Sequence, residues 1–443
     1  MVSSCIERPA FATLQARYLR WQHSFAQFGS CEAGRIAAFA VIGICAPLFA
    51  LAFLLGARVR RSVKAGRNGE TFEDLVFVDR CGHPVRVIGG LPRLIAIARG
   101  ECAWVGPEPR KAQDLDLRQE SHRRLASAQP GLVSPWWVRQ RTNIAYGDQT
   151  GSDLEFVAQR SARVSLGVLI RALLASFYGA PSGECPRVAH ILGLPVDNVK
   201  MDEAIRLMLT PRADGRARQV SFLNVDCVNK AAVDTDYCSV LSGSDLRLGD
   251  GIGLRIAGRI LKSEIRENVN GTDLFPRLCA KLEQTGESLF LLGGRPGVPE
   301  QVAAWIGANH PGLRVAGARH GYFNASEEAG IVETINASGV AVVLVALGAP
   351  RQEKWIHAHA GELTVKAAAG VGGLFDFYSG RIPRAPQWLR EMGLEWAYRL
   401  YQEPGRMWRR YLVGNVIFLA RVMRERATRA LPLTGKISEV ISQ

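Results

Sequence analysis

From Ile36 to Ala57 the chain carries no charged residue. A helix rising about 1.5 Å per residue makes such a run roughly as long as a bilayer core is thick, which places it in lipid. Pro47 falls in its middle and removes a helix hydrogen bond, so a full span and a re-entrant hairpin both stay open. Arg58, Arg60, Arg61 and Lys64 follow at once, and basic flanks stay on the cytoplasmic side, so the chain beyond them is expected to face the cytoplasm. The run begins well after Met1 with no small-residue cleavage site before a polar region, so a cleaved signal peptide is not expected.

After this run, Gly66 to Phe72 reads as a turn feeding an alternating strand, Leu75-Val76-Phe77-Val78. Leu91 to Gly100 reads as a helix opened by Pro92 and closed by Gly100, ahead of Trp104-Val105-Gly106-Pro107-Glu108-Pro109. Ala180 to Pro186 is rich in turn formers and is expected to be a linker. Beyond it, strand-like runs at Gln219–Leu223, Leu246–Leu248, Ser288–Leu292, Arg314–Ala316, Ala341–Leu347 and Val365–Ala369 alternate with helical ones: Cys227 to Leu241, from Ile252, from Pro299, and around Glu353. That alternation predicts an α/β domain with a Rossmann-like, mostly parallel sheet covered by helices. Ligands of such sheets bind at the carboxyl ends of the strands. The loops there are Asn224, Asp250-Gly251, Gly293 to Gly297, His320 to Phe323, Gly348 to Gln352 and Gly370 to Phe375.

At 443 residues and 47% hydrophobic content the chain has room for two or three domains and is not largely disordered. Its formal charge of +14 implies an anionic partner without saying which. The nine cysteines are scattered with no CxxC pair or adjoining histidines, the pattern of reduced thiols and not of a disulfide frame or zinc site.

The Leu91–Gly100 helix, the Gly106-Pro107-Glu108-Pro109 turn and Gln129-Pro130-Gly131-Leu132, preceded by the lipid segment, resemble the bacterial sugar transferases that move a sugar phosphate from a nucleotide onto polyprenyl phosphate. In that family an Asp-Glu pair stands directly before the Leu-Pro, its aspartate acting as covalent nucleophile; here those positions are Gly89 and Gly90. The family's Gly-Pro-Arg-Pro has become Gly106-Pro107-Glu108-Pro109, an anion where a phosphate-pairing cation belongs. After a tail of residues 1–30, residues 31–180 are therefore expected to be a degenerate, membrane-associated α+β domain with a hydrophobic hairpin or helix, kept as anchor and docking surface.

Residues 187–380 carry Leu223-Asn224-Val225-Asp226, Gly249-Asp250-Gly251-Ile252-Gly253, Gly271-Thr272-Asp273-Leu274, Leu291 to Gly297, His320 to Phe323, and Gly348-Ala349-Pro350-Arg351-Gln352-Glu353, with Arg384-Ala385-Pro386 just beyond. In this order they resemble the WecG/TagA/CpsF glycosyltransferases. The resemblance implies inverting transfer of a sugar from a UDP-sugar to a polyprenyl-diphosphate-linked saccharide in cell-surface or exopolysaccharide synthesis. It points to Asn224, Gly251, Thr272, Asp273, Gly294, Arg351 and Gln352 as substrate contacts and to Asp250 as the base.

Inverting displacement needs one carboxylate to take the proton of the attacking hydroxyl, and Asp250 stands at a strand end with Gly251 behind it. The amides of Asn224 and Gln352 can donate and accept, as sugar hydroxyls require. The UDP leaving group gathers negative charge. Asp234-Thr235-Asp236 fits the metal-binding Asp-x-Asp string but falls in a helical stretch, so no metal or other cofactor is expected. Cations are the other means, and from Arg381 to Arg429 there are eleven arginines against four glutamates. Residues 381–430 are expected to form a helical appendage that, as the resemblance implies, folds over the site and supplies arginines, with Arg399, Arg406, Arg409 and Arg410 as candidates. Trp388, Trp396, Trp408 and Tyr411 are interleaved there, ahead of Val416-Ile417-Phe418-Leu419, a composition suited to the headgroup layer of an anionic membrane.

No nucleic-acid module appears, so nucleic acid is not an expected partner. Phe222, two residues before Asn224, and Asn268-Val269-Asn270 depart from the family pattern, which leaves an N-acetylmannosaminyl and a glucuronosyl or other hexosyl donor open. Oligomerisation is open too, since the appendage could complete its own site or a neighbour's. The rival readings are a catalytically inactive membrane scaffold and a dinucleotide-dependent oxidoreductase, the latter because Gly370-Val371-Gly372-Gly373-Leu374-Phe375 begins like a Gly-x-Gly-x-x-Gly fingerprint but lacks its third glycine.

Overall fold

The computed structural model describes residues 32–430 apart from residues 55, 81, 83–84, 86–88, 143–147 and 180–184, and the tail called at residues 1–30 lies outside the described residues. The chain divides into two compact units, Met1–Ser182 and Gly183–Gln443.

In the first unit a helix, α1 (Glu32–Leu54), runs unbroken through Pro47. Among the described residues it is the one helix long and apolar enough to cross a membrane by length and composition. Ile36, Phe39, Ile44 and Leu54 are exposed on it. It is followed by the antiparallel pair β1 (Arg58–Ala65) and β2 (Thr71–Val78). Then come α2 (Arg93–Ala98), β3 (Ala103–Val105), α3 (Glu120–Ser127), β4 (Gly131–Val133), α4 (Pro135–Thr142), α5 (Gln149–Ala158) and α6 (Ala162–Tyr178), with β3 and β4 paired parallel. Leu94, Ile97 and Cys102 join Ala38 of α1 and Phe72 of β2 in one buried cluster, which explains why the α2 helix is apolar along its length.

The second unit opens with a hairpin, β5 (Val188–Ile191) and β6 (Leu194–Asp197), and α7 (Met201–Leu209), none of which the alternation pattern had marked. Its centre is a six-stranded parallel sheet of β7 (Arg218–Leu223), β8 (Leu246–Gly249), β9 (Leu289–Gly293), β10 (Val315–Arg319), β11 (Val342–Ala346) and β12 (Ala367–Gly370), in the order β10-β9-β11-β12-β7-β8. Around it lie α8 (Val225–Ala231), α9 (Thr235–Gly243), α10 (Ile252–Ile260), α11 (Gly271–Thr285), α12 (Val298–Asn309), α13 (Glu328–Ala337), α14 (Arg351–His359) and α15 (Leu374–Tyr378). Alternate residues of one strand serve different cores. Leu289 and Leu291 join the cluster with α11 and α12, whereas Phe290 and Leu292 join the one with α13 and α14. A sheet covered on both faces needs apolar residues at successive positions, hence the unbroken Leu289 to Leu292 and Val342 to Val345 runs.

The stretch read as one helix from Cys227 to Leu241 is two. Asp234 ends the continuity by accepting a hydrogen bond from the Tyr237 amide at 2.9 Å, capping α9, and an aspartate that can bond the backbone locally competes with helix propagation.

The C-terminal segment forms short helices α16 (Gln387–Glu391), α17 (Glu395–Gln402) and α18 (Pro404–Trp408), a π-helical turn over Arg409–Val413, and the longer α19 (Gly414–Ala430). The Val416–Leu419 run is divided: Phe418 is 4% exposed and packs with Val422 against the α8–α10 core, whereas Val416 and Leu419 face outward. Asn229 donates to the Gly414 carbonyl at 2.7 Å and accepts from Arg421 at 2.9 Å, tying α19 to α8. Phe418→Ala is therefore expected to lower the stability of the second unit by about 3–5 kcal/mol, read as a lower melting midpoint. A membrane-only role for this side chain would leave the midpoint of detergent-solubilised protein unchanged.

Candidate active site

The ends of β7 and β8 are tied together, because the Asp250 amide donates to the Leu223 carbonyl at 2.7 Å. Asn224 caps α8, its Oδ1 accepting from the amides of Asp226 at 3.0 Å and Cys227 at 3.1 Å. With Oδ1 committed to the helix, the amide nitrogen of Asn224 is left as a donor whose influence lowers the proton affinity of the Asp250 carboxyl. Gly251 has φ of +96°, a conformation that favours glycine, and its amide donates to Asn268 Oδ1 at 2.6 Å. Asn268, noticed in the sequence only as a departure, thus braces the turn that carries Asp250.

Withdrawal from water and the neighbouring Glu395 push the Asp250 carboxyl up to about 6, against the opposing pull of Arg410, the Asn224 hydrogen bond and Arg399. A carboxylate in that position is ionised at neutral pH yet basic enough to accept a proton.

The appendage supplies the surrounding charge. Arg399 lies over the Phe377 ring at 5.2 Å, and a Cβ on Gly373 would stand 2.7 Å from its guanidinium, so glycine there makes room for it. Arg410, in the π-helical turn, packs over Tyr411 and has its Nε 3.7 Å from Asp226 Oδ2. Arg406 points to Glu403 at 3.6 Å and Arg409 lies over its neighbour Trp408; both are exposed. Of the four arginines singled out from the sequence, Arg399 and Arg410 are the two brought to Asp250.

Several other sequence-chosen residues are engaged in holding loops. Gln352 is 4% exposed; its Oε1 accepts from the amides of Gly348 at 3.1 Å and Gly372 at 3.0 Å, and its Nε2 donates to Glu353 at 2.7 Å. It joins the turns after β11 and β12, with its oxygen held by two loop amides and one of its two N–H donors on Glu353. Arg351 stacks on Phe323 and donates to the carbonyls of Gly321 at 3.4 Å and Phe323 at 3.2 Å, holding the turn after β10. Gly294 donates to Ala346 and accepts from Gly321, both at 2.9 Å, linking three strand ends. The carbonyl of Thr272 accepts from the Tyr378 hydroxyl at 2.7 Å. Asp273, 4% exposed, accepts from Asn270 at 2.7 Å and pairs with Arg384 and, at 3.6 Å, with Arg390. Its carboxylate fastens the appendage to the sheet unit.

Asp234 and Asp236 both pair with Lys354, at 3.1 Å and 2.6 Å. Among the described residues there is no group of three or more His, Cys, Asp or Glu side chains that could hold a metal ion.

The first unit is different in kind. A Cβ on Gly89 would stand 2.5 Å from the Val85 carbonyl oxygen, while at Gly90 the nearest atom is 3.9 Å away. Glu108 accepts from Gln149 at 3.3 Å, and burial raises its carboxyl against the lowering pull of Arg93, Lys64 and Arg110. Arg93 is held by Asp74 through contacts of 2.6 Å and 2.9 Å, and Arg110 by Asp153 at 3.3 Å. Arg93 and Arg110 are thus met by carboxylates of their own unit.

Residues 189–431, more than half the chain, match the Glycosyl transferase WecG/TagA/CpsF family, and the strand-end loops just described fall within that span. The chain belongs to this family. Residues 79–179 match the Bacterial sugar transferase family. The family member named N-acetylglucosaminyldiphosphoundecaprenol N-acetyl-beta-D-mannosaminyltransferase from Bacillus subtilis is 34% identical over 193 residues, 44% of this chain and 74% of that protein. A protein of the same name from Bacillus spizizenii is 34% identical over 203 residues, 46% of this chain and 78% of its own length.

Glu395 and Arg390 were not among the residues chosen from the sequence, Arg384 was noted there only within the Arg384-Ala385-Pro386 motif, and Asn268 only as a departure from the family pattern. The signal for Glu395 was its spacing of one helical turn from Arg399, which puts both on one face of α17.

Proposed function

We propose that this WecG/TagA/CpsF glycosyltransferase moves a sugar from a UDP-sugar to a polyprenyl-diphosphate-linked saccharide in cell-surface or exopolysaccharide synthesis, with inversion and without a metal. The observation that carries the reading is the position of Asp250 at the sheet's carboxyl edge, where its amide is tied to the Leu223 carbonyl and where Asn224, Arg410 and Arg399 all favour the ionised form of its carboxyl. The acceptor hydroxyl gives its proton to Asp250 as its oxygen attacks the anomeric carbon, and the UDP oxygen leaves with the bonding pair. Arg399 and Arg410 offset the charge gathering on the diphosphate. The names of the two relatives favour an N-acetylmannosaminyl donor, and a glucuronosyl or other hexosyl donor is the second choice.

The product made from an α-linked UDP-sugar should carry a β-linkage by NMR, and EDTA should leave the rate unchanged; an α-linked product or EDTA sensitivity would contradict inversion or metal independence. kcat/KM should rise with pH and level off above about 6, because the base must be ionised to act. The same shift makes protonation favour the folded state, so this group's contribution to stability falls as pH rises through the interval from 3.8 to about 6.

The first unit serves as a degenerate membrane anchor and docking surface, supported by the apolar α1, the glycines at 89 and 90, and the self-neutralised Glu108 cluster. The basic flank after α1 supports a cytoplasmic orientation. Exposed Leu412, Val416, Leu419 and Met423 on the appendage, with Arg406, Arg409 and Arg424, support a second contact with anionic lipid. A fragment ending near Ser182 should bind vesicles and make no polyprenyl-diphosphate sugar. Gly89→Asp in that fragment should also make none, since its side chain meets backbone; phosphotransfer by either fragment would overturn the assignment.

A further inference from the structure

We propose that the buried Glu353 is a positioning residue for the sugar-nucleotide site, acting through Gln352 to set the turns after β11 and β12 against each other. The inference rests on the glycosyltransferase reading above. Glu353 lies in the first turn of α14 and is 0% exposed. Its carboxyl is met by neutral donors: Gln352 Nε2 donates to Oε1 at 2.7 Å and the Tyr237 hydroxyl to Oε2 at 3.3 Å. Burial raises this carboxyl above its ordinary value, against the opposing pull of the Gln352 and Tyr237 hydrogen bonds and the Lys230 charge. A carboxyl withdrawn from water among neutral partners is costly to keep, and an apolar side chain of similar volume would fill the same space at less cost. What the carboxyl holds is the amide of Gln352.

Gln352 Oε1 accepts from the amides of Gly348 at 3.1 Å and Gly372 at 3.0 Å, and one amide orientation alone serves these contacts, because the reversed amide would turn its NH2 toward two N–H groups. Gly370 permits the close approach, since a Cβ there would stand 3.0 Å from Gln352 Nε2. Glu353 is itself held from behind: Gln219 of β7 donates to its backbone carbonyl at 3.3 Å, and Tyr237 of α9 is fully buried. The two turns so joined lie at the carboxyl edge of the sheet, where ligands of parallel sheets bind. Gly372 leads into Gly373, against which Arg399 lies, and Gly348 leads to Arg351, whose guanidinium holds the turn after β10. One buried carboxyl thus governs the spacing of three strand ends. An acidic residue in a first turn also favours its own helix through the helix dipole, but that effect needs the charge and does not pass through Gln352.

The test is UDP binding by calorimetry and steady-state kinetics in the UDP-sugar, on the full-length protein in detergent, for wild type, Glu353→Leu, Glu353→Gln, Gln352→Ala and the double variant of Gln352→Ala with Glu353→Leu. Glu353→Leu should weaken UDP binding and raise KM for the UDP-sugar by about 5–30-fold, the scale of a buried donor losing its acceptor, with kcat falling less than KM rises. Glu353→Gln, whose side-chain oxygen still accepts from Gln352, should restore most of that affinity. The double variant should bind UDP no more weakly than Gln352→Ala alone, because the two residues act in series. Should Glu353→Leu prove unfolded by its melting curve, Glu353→Asp keeps a charge but draws the acceptor away from Gln352, and must weaken UDP binding in the same direction. Wild-type affinity in Glu353→Leu, losses that add in the double variant, or no rescue by Glu353→Gln would each overturn the positioning role and leave the transferase reading in place. A wild-type protein that neither binds UDP nor releases it from any UDP-sugar overturns the reading itself.

Discussion

Asp250→Asn should lower kcat by about 10²–10⁴-fold, the range that a positioned general base contributes. The amide has nearly the shape of the carboxylate and can still meet Asn224, so the loss reports proton acceptance and not collapse of the loop. Two controls separate these. The melting midpoint should stay at or above that of wild type at neutral pH, because the substitution removes a carboxylate that is partly withdrawn from water. UDP-sugar binding by calorimetry should also persist, since the contacts offered by Arg399 and Arg410 do not pass through Asp250. Full activity in the variant would move the chemistry elsewhere.

Asp273→Ala should lower stability and activity together. It leaves Arg384 and Arg390 without the buried carboxylate that both use, and breaking such a pair from one side costs about 3–5 kcal/mol. The lower end is expected because Arg384 keeps Glu395 as a partner, which gives a fall in melting midpoint of roughly 6–12 °C for a unit of this size. Activity should fall with it at temperatures where the protein remains folded, because the freed segment carries Arg399 and Glu395. Limited proteolysis should then cut between α15 and α17 faster than in wild type. A variant with wild-type melting and proteolysis would show that this cluster does not hold the appendage.

The parallel sheet was legible because strands covered on both faces must be apolar at successive positions, and each such run ends at a turn former. Asn224 and Asp250 were legible for the same reason: polar residues stood at strand ends, where ligands of such sheets bind. What the sequence could not show is which polar group answers which. Gln352 and Asp273 carry the chemistry of sugar ligands, yet the structure engages the one with the Gly348 and Gly372 amides and the other with Arg384 and Arg390. Those partners come from different strand loops or from the appendage, so their pairing depends on tertiary placement. The break at Asp234 was missed because an aspartate within an apolar-periodic stretch reads equally as a solvated position or a cap, and only the fold decides. Arg399 and Arg410 stood out from Arg406 and Arg409 only once α17, α18 and the π-helical turn had fixed which way each residue faces.

The measurement that bears most directly on the central claim is UDP release by the full-length protein in EDTA, given a polyprenyl-diphosphate-linked saccharide and a panel of UDP-sugars, for wild type and Asp250→Asn. The account predicts acceptor-dependent release with one donor, UDP-N-acetylmannosamine first among them, abolished in the variant. No release with any donor on an acceptor that another transferase can extend would contradict it and favour an inactive scaffold.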